Sequence, residues 1–385
     1  MDQNYLQQLI AEVKARDGGL ILNMDGRPEA VVLSIDKYNQ LISEVRSKNQ
    51  EVREDQSQAS STLFKPKTVL VTGGAGYIGA HLARQLINAG HKVIIVDNLS
   101  AGKRENVPSE AKFIEGDSGD VNLLRDVFAA EKIDAVMHFA ASIEVEESVR
   151  EPGKYLENNA VNTARLLSVM DEAGVRNIIF SSTAAVYGEQ SEAIAESAAP
   201  RPANPYGYSK LIAEKIIKFY CEYKNFNAVV FRYFNACGSD FDGKITPTHE
   251  SHLLAKVMQV IAGREEQLVI NGSDYETHDG TCVRDYVHVL DIAAAHILAL
   301  HGIGERAGFN VYNIGTGRGM SVLEMVNGVA ETLNKMVPMQ LGARRAGDPA
   351  SLVADCSKIR SELGFAAKFS DLETIAKTAY RQMQQ

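Results

Sequence analysis

The sequence contains few cysteines, and their spacing gives them no evident partners. Cys221, Cys237, Cys282 and Cys356 lie far apart, and the chain has neither a CxxC pair nor a histidine cluster beside them. Disulfide-bonded scaffolds and structural zinc sites depend on such groupings. We therefore expect four buried free thiols and no metal site.

Long apolar runs and an excess of basic residues are also missing. No run approaches the roughly 18 apolar residues that a membrane-spanning helix needs. The opening stretch, "MDQNYLQQLI", lacks the basic and apolar regions of a signal peptide. A formal net charge of −9 disfavours nucleic acid or a membrane surface as a partner, because both require a basic face. We expect a cytoplasmic protein with no nucleic-acid or membrane partner.

The sequence does contain enough apolar residues for a large core, since 45% of its 385 residues are hydrophobic. Residues 1–48 indicate a small αββα unit, with the strands "GLILNM" and "EAVVLS" around an Asp25-Gly26 turn and a helix on either side. Residues 49–66 are polar, rich in serine and glutamine, and without periodicity, which is typical of a flexible linker.

From residue 67 onward, short apolar runs alternate with helical patterns. The predicted strands are "TVLVT", "KVIIVD", "KFIEGD", "AVMHFA", "NIIFSS" and "AVVFRYF". Runs that are apolar on both faces and separated by helices indicate a parallel sheet covered on both sides. We predict an α/β fold: a doubly wound, parallel-sheet Rossmann domain over residues 67–240, followed by a smaller mixed α/β substrate lobe over residues 241–385 with some return segments to the Rossmann domain.

The stretch "VTGGAGYIGAHL" lies between a predicted strand and a predicted helix. Gly73, Gly76 and Gly79 stand at GxxGxxG spacing, which allows a tight turn and brings a pyrophosphate to the positive end of the helix dipole. The next strand ends in Asp97, which can accept hydrogen bonds from ribose hydroxyls and would repel a 2′-phosphate. The pattern predicts an NAD site. Asp117, at the end of the third strand, is either an adenine contact or a cap of its strand.

The stretch "PYGYSK" opens a helix that continues through "LIAEKIIKFY". Tyr206 and Lys210 stand four residues apart on one face, whereas Tyr208 points elsewhere. A phenol is a poor base at neutral pH, but a neighbouring ammonium group and a positive nicotinamide would both favour the phenolate and lower its pKa. We expect Tyr206 to be a general base with Lys210 as its electrostatic partner.

A third polar group is expected to orient the substrate hydroxyl. The stretch "FSSTAAVYGE" ends the fifth strand, where loops at the carboxyl edge of a parallel sheet meet the cofactor. Thr183 is the first choice for this role, and Ser181 and Ser182 are the alternatives.

With these residues in place, residues 67–385 resemble the extended short-chain dehydrogenase/reductase family, and within it the UDP-glucose 4-epimerases. The resemblance rests on "VTGGAGYIGAHL", "VDNLS", "HFAASIEVEESV", "FSSTAAVYGE", "PYGYSK", "FRYFNACG", "DGTCVRDYVHVLDIA", "YNIGTG" and "RRAGDPASLVADCSK". The stretch "DGTCVRDYVHVLD" is the most specific of these, because many NAD-dependent sugar-nucleotide enzymes share the glycine motif and YxxxK.

The resemblance implies a set of binding residues on each side of a cleft. Besides the three glycines, Tyr206 and Lys210, the positions that match cofactor contacts are Tyr77, Ile78, Asp97, Asn98, Leu99, Ser100, Ala101, Gly102, Asp117, Ser118, Phe139, Ala140, Ala141, Ser142, Ile143, Asn158 and Phe234. Besides Thr183 and Tyr206, the positions that match UDP-hexose contacts are Asn235, His252, Leu253, Val269, Ile270, Asn271, Arg284, Arg345, Asp348 and Leu352. Guanidinium groups at Arg284 and Arg345 suit a diphosphate, and an acidic protein needs such local positive charge.

The resemblance also implies the chemistry. Tyr206 would take the proton of the sugar 4-hydroxyl while NAD takes a hydride from C4, and the 4-keto sugar would rotate before the hydride returns to its other face. Three positions depart from the better-known bacterial pattern: Ile143 replaces a lysine, Asn271 replaces an aromatic, and Leu352 is neither bulky nor very small. Acceptance of N-acetylated UDP-hexoses is therefore left open.

The front unit resembles the Phd/YefM class of antitoxin domains through "ILNMDGRPEAVVLSIDKYNQLI". Its charge is close to balanced, which offers little for phosphate contacts, so we expect an oligomerisation module whose toxin partner, if any, is unknown. The resemblance of the main body implies a homodimer or higher homo-oligomer through helices near 151–173 and 204–224.

Three other interpretations compete with a UDP-glucose 4-epimerase. The first is an epimerase that acts on UDP-N-acetylglucosamine. The second is a 4,6-dehydratase, which usually has an Asp-Glu pair beside the strand-end threonine, where this chain has Ala184-Ala185. The third is an inert, enzyme-like regulator that acts through the antitoxin-like unit, although the intact Tyr206, Lys210 and glycine motif count against it.

Overall fold

The computed structural model describes residues 19–24, 27–33, 65–190, 193–246, 248, 252–345 and 348–385. The chain divides into two compact units, Met1–Lys65 and Pro66–Gln385. Within the first unit, β1 (Gly19–Met24) and β2 (Arg27–Leu33) form an antiparallel pair with a register shift between Leu22 and Asn23. These strands match the two expected from the sequence. The predicted Asp25-Gly26 turn and the two flanking helices lie outside the described residues.

The second unit is organised around a seven-stranded parallel sheet. Its strands are β3 (Thr68–Thr72), β4 (Lys92–Asp97), β5 (Lys112–Glu115), β6 (Ala135–His138), β7 (Asn177–Thr183), β8 (Asn227–Tyr233) and β12 (Gly308–Ile314). Their order across the sheet is β12-β8-β7-β6-β3-β4-β5. The order therefore reverses between β3 and β6, which is where ligands bind in open α/β sheets.

Helices cover both faces of this sheet. They include α1 (Tyr77–Asn88), α2 (Val121–Ala130), α3 (Val145–Arg150), α4 (Pro152–Leu156), α5 (Asn162–Glu172) and α6 (Pro205–Lys224). Alternate residues of one strand enter different cores: Val69 and Val71 belong to one buried cluster, and Leu70 belongs to the other. Since side chains alternate along a strand, both faces are buried, as the apolar runs predicted.

Most of the remaining elements form a smaller lobe with short strands and its own core. They are β9 (Asn235–Cys237), α7 (Leu253–Ile261), β10 (Leu268–Asn271), β11 (Val283–His288), β13 (Gly319–Ser321), α9 (Val322–Leu333), β14 (Met339–Gly342), β15 (Ser351–Leu352) and α11 (Leu372–Met383). Two further helices, α8 (Val289–Gly302) and α10 (Ser357–Leu363), pack instead on the domain of the parallel sheet. Buried residues of α7, β10, α9 and α11 pack together in a third cluster.

Strand β12 was not among the six strands that the sequence pattern assigned to the sheet. It pairs in parallel with β8 along its whole length, from Gly308 opposite Asn227 to Ile314 opposite Tyr233. The preceding helix, α8, packs against α1, so the chain returns to the sheet after it has built part of the smaller lobe. A pairing between strands so distant in sequence leaves no local signal, which is why the pattern did not place it.

Candidate active site

The glycine motif forms the turn between β3 and α1. Gly73 has φ +73°, and a Cβ there would lie 2.5 Å from the backbone nitrogen of Ala140. A Cβ on Gly79 would lie 2.3 Å from the Gly73 carbonyl oxygen. The turn therefore needs glycine both for its conformation and for close backbone approach. Gly76 is the N-cap of α1 and supplies no side-chain cap, and the first turn of the helix carries no acidic residue, so its amides are open to an anion.

Asp97 supports this turn from the end of β4. It is buried, and its Oδ2 accepts a hydrogen bond from the Ala75 amide at 2.9 Å while its Oδ1 accepts one from the Leu99 amide at 2.8 Å. Each carboxylate oxygen has a second lone pair, so Asp97 can still accept hydrogen bonds from ribose hydroxyls. The open helix end, the glycine turn and this carboxylate fit an NAD molecule.

Two predicted cofactor residues lie beside the cleft rather than on its lining. Leu99 has φ +57° and packs its side chain on the core below, while its amide donates to Asp97. Asp117 accepts from the Gly119 amide at 2.7 Å and from the Asn98 side-chain amide at 3.0 Å. Its carboxylate therefore organises the end of β5 and positions Asn98, as a cap of the strand would, and an adenine contact stays a prediction.

The other predicted cofactor and substrate residues all line one cleft of about 970 Å³. Asn158 reaches it because residues Glu157–Val161 form a π-helical turn before α5, a distortion that is frequent at functional sites. Its side-chain amide donates to the Ser142 hydroxyl at 3.1 Å. The sequence shows no clear signal for this turn.

Helix α6 presents Tyr206 and Lys210 to the cleft. Asn204 caps the helix, because its side-chain oxygen accepts from the Gly207 amide at 2.9 Å, and Pro205 occupies the first turn. Lys210 is only 2% exposed, and its Nζ donates to the Ser181 carbonyl at 2.7 Å. Tyr208, by contrast, is 54% exposed, so it points away from the cleft, as expected.

The pKa values of this pair in the chain alone are set mainly by burial. Burial raises the pKa of Tyr206 to about 12; a hydrogen bond with Thr183 opposes the rise, and the charge of Glu144 adds to it. Burial lowers the pKa of Lys210 to about 7, against the opposing effect of Glu214. Burial thus disfavours both charged forms, whereas Thr183 favours the phenolate and Glu214 favours the ammonium. The positive charge of a bound nicotinamide would also favour the phenolate.

Thr183 is the strand-end hydroxyl that meets Tyr206. Its Oγ1 also accepts from the Ala185 amide at 3.1 Å, which orients it. The hydroxyls of the two alternatives have other partners: the Ser181 side chain forms a hydrogen bond with Tyr233, and the Ser182 hydroxyl donates to Glu214 at 2.5 Å. The geometry therefore favours Thr183 as the residue that faces a substrate hydroxyl.

The two arginines on the far side of the cleft are each paired with a carboxylate. Arg284 is buried and donates to Asp348 at 2.5 Å and to the Pro349 carbonyl at 2.8 Å. Arg345 Nε lies 3.1 Å from Glu146 Oε1. These carboxylates hold the guanidinium groups in the lining and neutralise their charge. A bound anion would compete with the carboxylates for the guanidinium groups.

Sequence reasoning missed several lining residues. They are the acidic group Glu144, Glu146 and Glu147, and the lysines Lys154 and Lys256. Glu147 is held by Lys154 at 2.6 Å and by the Tyr155 hydroxyl at 2.8 Å. The acidic run "EVEES" was visible in the sequence, but only the fold places it at the cleft.

The four cysteines are buried free thiols, as predicted, and Cys237 and Cys282 line the cleft. Among the residues with described positions, no group of three or more His, Cys, Asp or Glu could hold a metal ion. No helix in the described part of the chain is both long and apolar enough to cross a membrane.

Comparison with known proteins agrees with this geometry. The model of the NAD dependent epimerase/dehydratase family matches residues 69–315. The chain belongs to this family. A UDP-glucose 4-epimerase of Lacticaseibacillus casei is 43% identical over 316 residues, which is 81% of this chain and 96% of that protein.

Solved structures of the same family superpose on the chain. The UDP-glucose 4-epimerase from Brucella ovis, crystallised in complex with NAD, has a TM-score of 0.79 and 43% identity, and covers 82% of this chain and 98% of its own. The UDP-Glc/GlcNAc 4-epimerase from Campylobacter jejuni has a TM-score of 0.72 and 40% identity, and covers 83% of this chain and 99% of its own. The parallel-sheet α/β fold is therefore that of the NAD-dependent epimerases.

We predict that Gly73→Ala removes NAD from the protein. The new Cβ would meet the Ala140 backbone at 2.5 Å, so the turn must shift away from the position that receives the pyrophosphate. The NAD released from denatured protein, measured by absorbance after chromatography, should fall to a small fraction of the wild-type amount.

Gly90→Ala is the matched control. Gly90 has φ +82°, but a Cβ there meets nothing within 4 Å. This variant should lose only the roughly 1–2 kcal/mol of unfolding free energy that a non-glycine residue costs in the left-handed conformation. The protein should keep its NAD. Equal NAD content in the two variants would contradict the assigned role of the turn.

Proposed function

We propose that this chain catalyses the NAD-dependent 4-epimerisation of UDP-hexoses, interconverting UDP-galactose and UDP-glucose. The observation that carries the proposal is that Tyr206, Lys210 and Thr183 share one cleft with the glycine turn and with Arg284 and Arg345. The relatives reported above, at 40–43% identity, support the same activity.

Tyr206 is the proposed base. Thr183 receives the sugar 4-hydroxyl beside the phenol oxygen, and Lys210 holds its ammonium group in the same buried region. NAD, when bound, supplies the hydride acceptor for C4 and the positive charge that brings the Tyr206 pKa down from about 12. Tyr206 then takes the hydroxyl proton as C4 is oxidised and gives it back when C4 is reduced on its other face.

The nucleotide is anchored apart from the reacting sugar. Arg284 and Arg345 lie in the smaller lobe and suit a diphosphate as guanidinium forks. For the 4-keto sugar to rotate within the cleft, the protein must hold UDP firmly and the hexose weakly. The pairing of each arginine with a carboxylate keeps the guanidinium group in position to bind the diphosphate.

A 4,6-dehydratase is disfavoured by the residues that follow the strand-end threonine. Ala184 and Ala185 line the cleft beside Thr183, and their methyl groups can neither donate nor accept a proton. Elimination of water needs an acid and a base at such a position. The range of sugars remains a separate question, because Leu352 lies in the lining and is of intermediate size. The assay therefore includes the N-acetylated substrates.

We predict that Tyr206→Phe lowers the rate of interconversion by about 100- to 10,000-fold, the usual contribution of a general base. The protein is incubated with UDP-glucose, UDP-galactose and their N-acetylated counterparts, without added cofactor, and the products are identified by chromatography. NAD should stay bound, because the substitution removes one hydroxyl and leaves the glycine turn untouched.

Tyr208→Phe is the control, since Tyr208 lies on the same helix but is exposed, and it should retain wild-type turnover. Near-normal turnover in Tyr206→Phe would refute the assigned base. Absence of any epimerisation by the wild-type protein would refute the proposed function itself.

We further propose that α6 forms an interface with a second copy of the chain. Exposed apolar residues recur along one side of this helix, and others lie on α3 and α4, which pack against it: Tyr208, Ile212, Phe219, Tyr223, Val149 and Leu156. Large exposed apolar patches commonly mark protein interfaces. A homodimer would bury this one.

We predict that the double substitution Phe219→Glu and Tyr223→Glu reduces the molecular mass measured by light scattering, because charges would be buried at the interface. These side chains are 55% and 68% exposed, so the fold should tolerate the change. Leu298→Glu, an exposed apolar position on α8 at 38% exposure, should leave the mass unchanged. A wild-type mass in the double variant would exclude this interface.

The front unit is proposed to add a second oligomerisation contact, as its resemblance to antitoxin domains implies. We predict that deletion of residues 1–60 changes the number of chains in the assembly, as measured by light scattering. It should leave most of the activity, because the whole cleft is built from residues of the unit Pro66–Gln385. An unchanged number of chains would argue against this role. The cytoplasmic location expected from the sequence stays a prediction.

A further inference from the structure

A buried ion pair joins β8 to α6, the helix that carries the proposed base. Arg232, on β8, donates to both carboxylate oxygens of Glu214, on α6, at 3.0 and 2.6 Å. The same carboxylate accepts the Ser182 hydroxyl at 2.5 Å. Arg232 is 5% exposed and Glu214 is 3% exposed. Three elements, β7, β8 and α6, thus meet in one charged cluster.

Fold stability alone gives a weak reason for this cluster. Removing two charges from water is costly, and apolar residues of similar size often stabilise a core as well or better. The pair therefore calls for a function, and its neighbours indicate one. Glu214 follows Lys210 by one turn of α6, and Ser182 stands between Ser181, whose carbonyl accepts from Lys210, and Thr183.

We infer that Glu214 and Arg232 form a positioning pair for the proposed catalytic residues: the pair connects the end of β7 to α6, and Glu214 places its negative charge where it stabilises the Lys210 ammonium group. This inference rests on the proposed function, because it assumes that Tyr206, Lys210 and Thr183 carry the reaction. Arg232 in turn holds the Glu214 carboxylate in place through its two hydrogen bonds, and its guanidinium carbon lies 4.7 Å from the centre of the Tyr187 ring.

The other titratable groups that face Lys210 carry little charge at neutral pH. On β6, burial and, to a smaller extent, the charge of Lys210 lower the pKa of His138 to about 3, so the imidazole is neutral. On α6, Tyr206 is a phenol with a pKa of about 12, and on β8 burial raises the pKa of Tyr233 well above its usual value. Phe180 on β7 offers only its ring, 4.7 Å from Nζ. Glu214 is therefore the negative group that opposes the fall in the Lys210 pKa.

The first test measures Lys210 directly and does not depend on activity. The full-length protein is labelled with ¹³C at the lysine Cε, and Lys210 is assigned by the loss of its signal in Lys210→Met. In Glu214→Gln the midpoint of the Lys210 titration should move to lower pH, because the ammonium loses its negative neighbour. An unchanged midpoint would overturn the electrostatic part of the inference.

Glu172→Gln is the matched control. Glu172 makes the same two-bond pair with Arg125, at 2.8 and 3.0 Å, but on the protein surface and far from the cleft lining. Its loss should leave the Lys210 midpoint in place. Equal shifts in both variants would also overturn the inference.

The second test separates positioning from general stability. In Glu214→Gln, kcat at a pH above the Lys210 midpoint should fall in proportion to the charged fraction of Lys210, about tenfold for each unit by which the midpoint moves, and the alkaline limb of the kcat profile should move to lower pH. KM for UDP-hexose should change little, because the proposed nucleotide ligands lie in the other lobe. A loss confined to KM, or a uniform loss without a shift in the pH profile, would contradict the inference.

Two milder variants keep the test decisive if Glu214→Gln does not fold. Ser182→Ala removes only the hydroxyl that connects β7 to Glu214 and should lower kcat without moving the Lys210 midpoint. Glu214→Asp shortens the side chain by one methylene group, which moves the carboxylate away from Lys210. It should lower the midpoint of the Lys210 titration by less than Glu214→Gln does. Wild-type behaviour in both would overturn the inference, whereas an inactive wild-type protein would instead refute the proposed function.

Discussion

The burial of one ammonium group organises this active site. Lys210 is almost wholly removed from water and satisfies its charge with the Ser181 carbonyl, the Phe180 ring and, one helical turn away, Glu214. An isolated buried charge would be very costly, so these contacts have to be made together. Making them fixes the helix that carries Tyr206 against the strand that carries Thr183. The relative position of base and hydroxyl follows from how the protein accommodates this lysine.

The same low-dielectric surroundings explain why the site responds to its ligands. Burial raises the pKa of Tyr206 to about 12 and lowers that of Lys210 to about 7, so without a ligand both groups tend toward neutrality. A positive charge introduced nearby would act strongly here, because little water screens it. The chain thus positions the Tyr206 phenol as the proposed base. The positive charge of a bound cofactor would favour its ionisation.

Carboxylates recur as partners of every arginine that matters to the proposed mechanism. Asp348 pairs with Arg284, Glu146 with Arg345, and Glu214 with Arg232. For an acidic protein that is proposed to bind a diphosphate, this arrangement keeps local positive charge in place without an overall basic surface. The first two pairs line the cleft, where an anion can compete with the carboxylate, whereas the third is sealed in the core and acts on position.

The sequence by itself determined the features that depend on short-range spacing: the six alternating strands, the glycine turn, Asp97 at a strand end, and Tyr206 with Lys210 on one helical face. Local chain geometry dictates these directly. Only the tertiary structure decided that β12 joins the sheet, that Asp117 and Leu99 support the cleft instead of lining it, and that the acidic run near Glu146 meets Arg345. It also set the direction of the tyrosine pKa, because burial and neighbouring charges depend on elements far apart in the chain, whose approach no local pattern records.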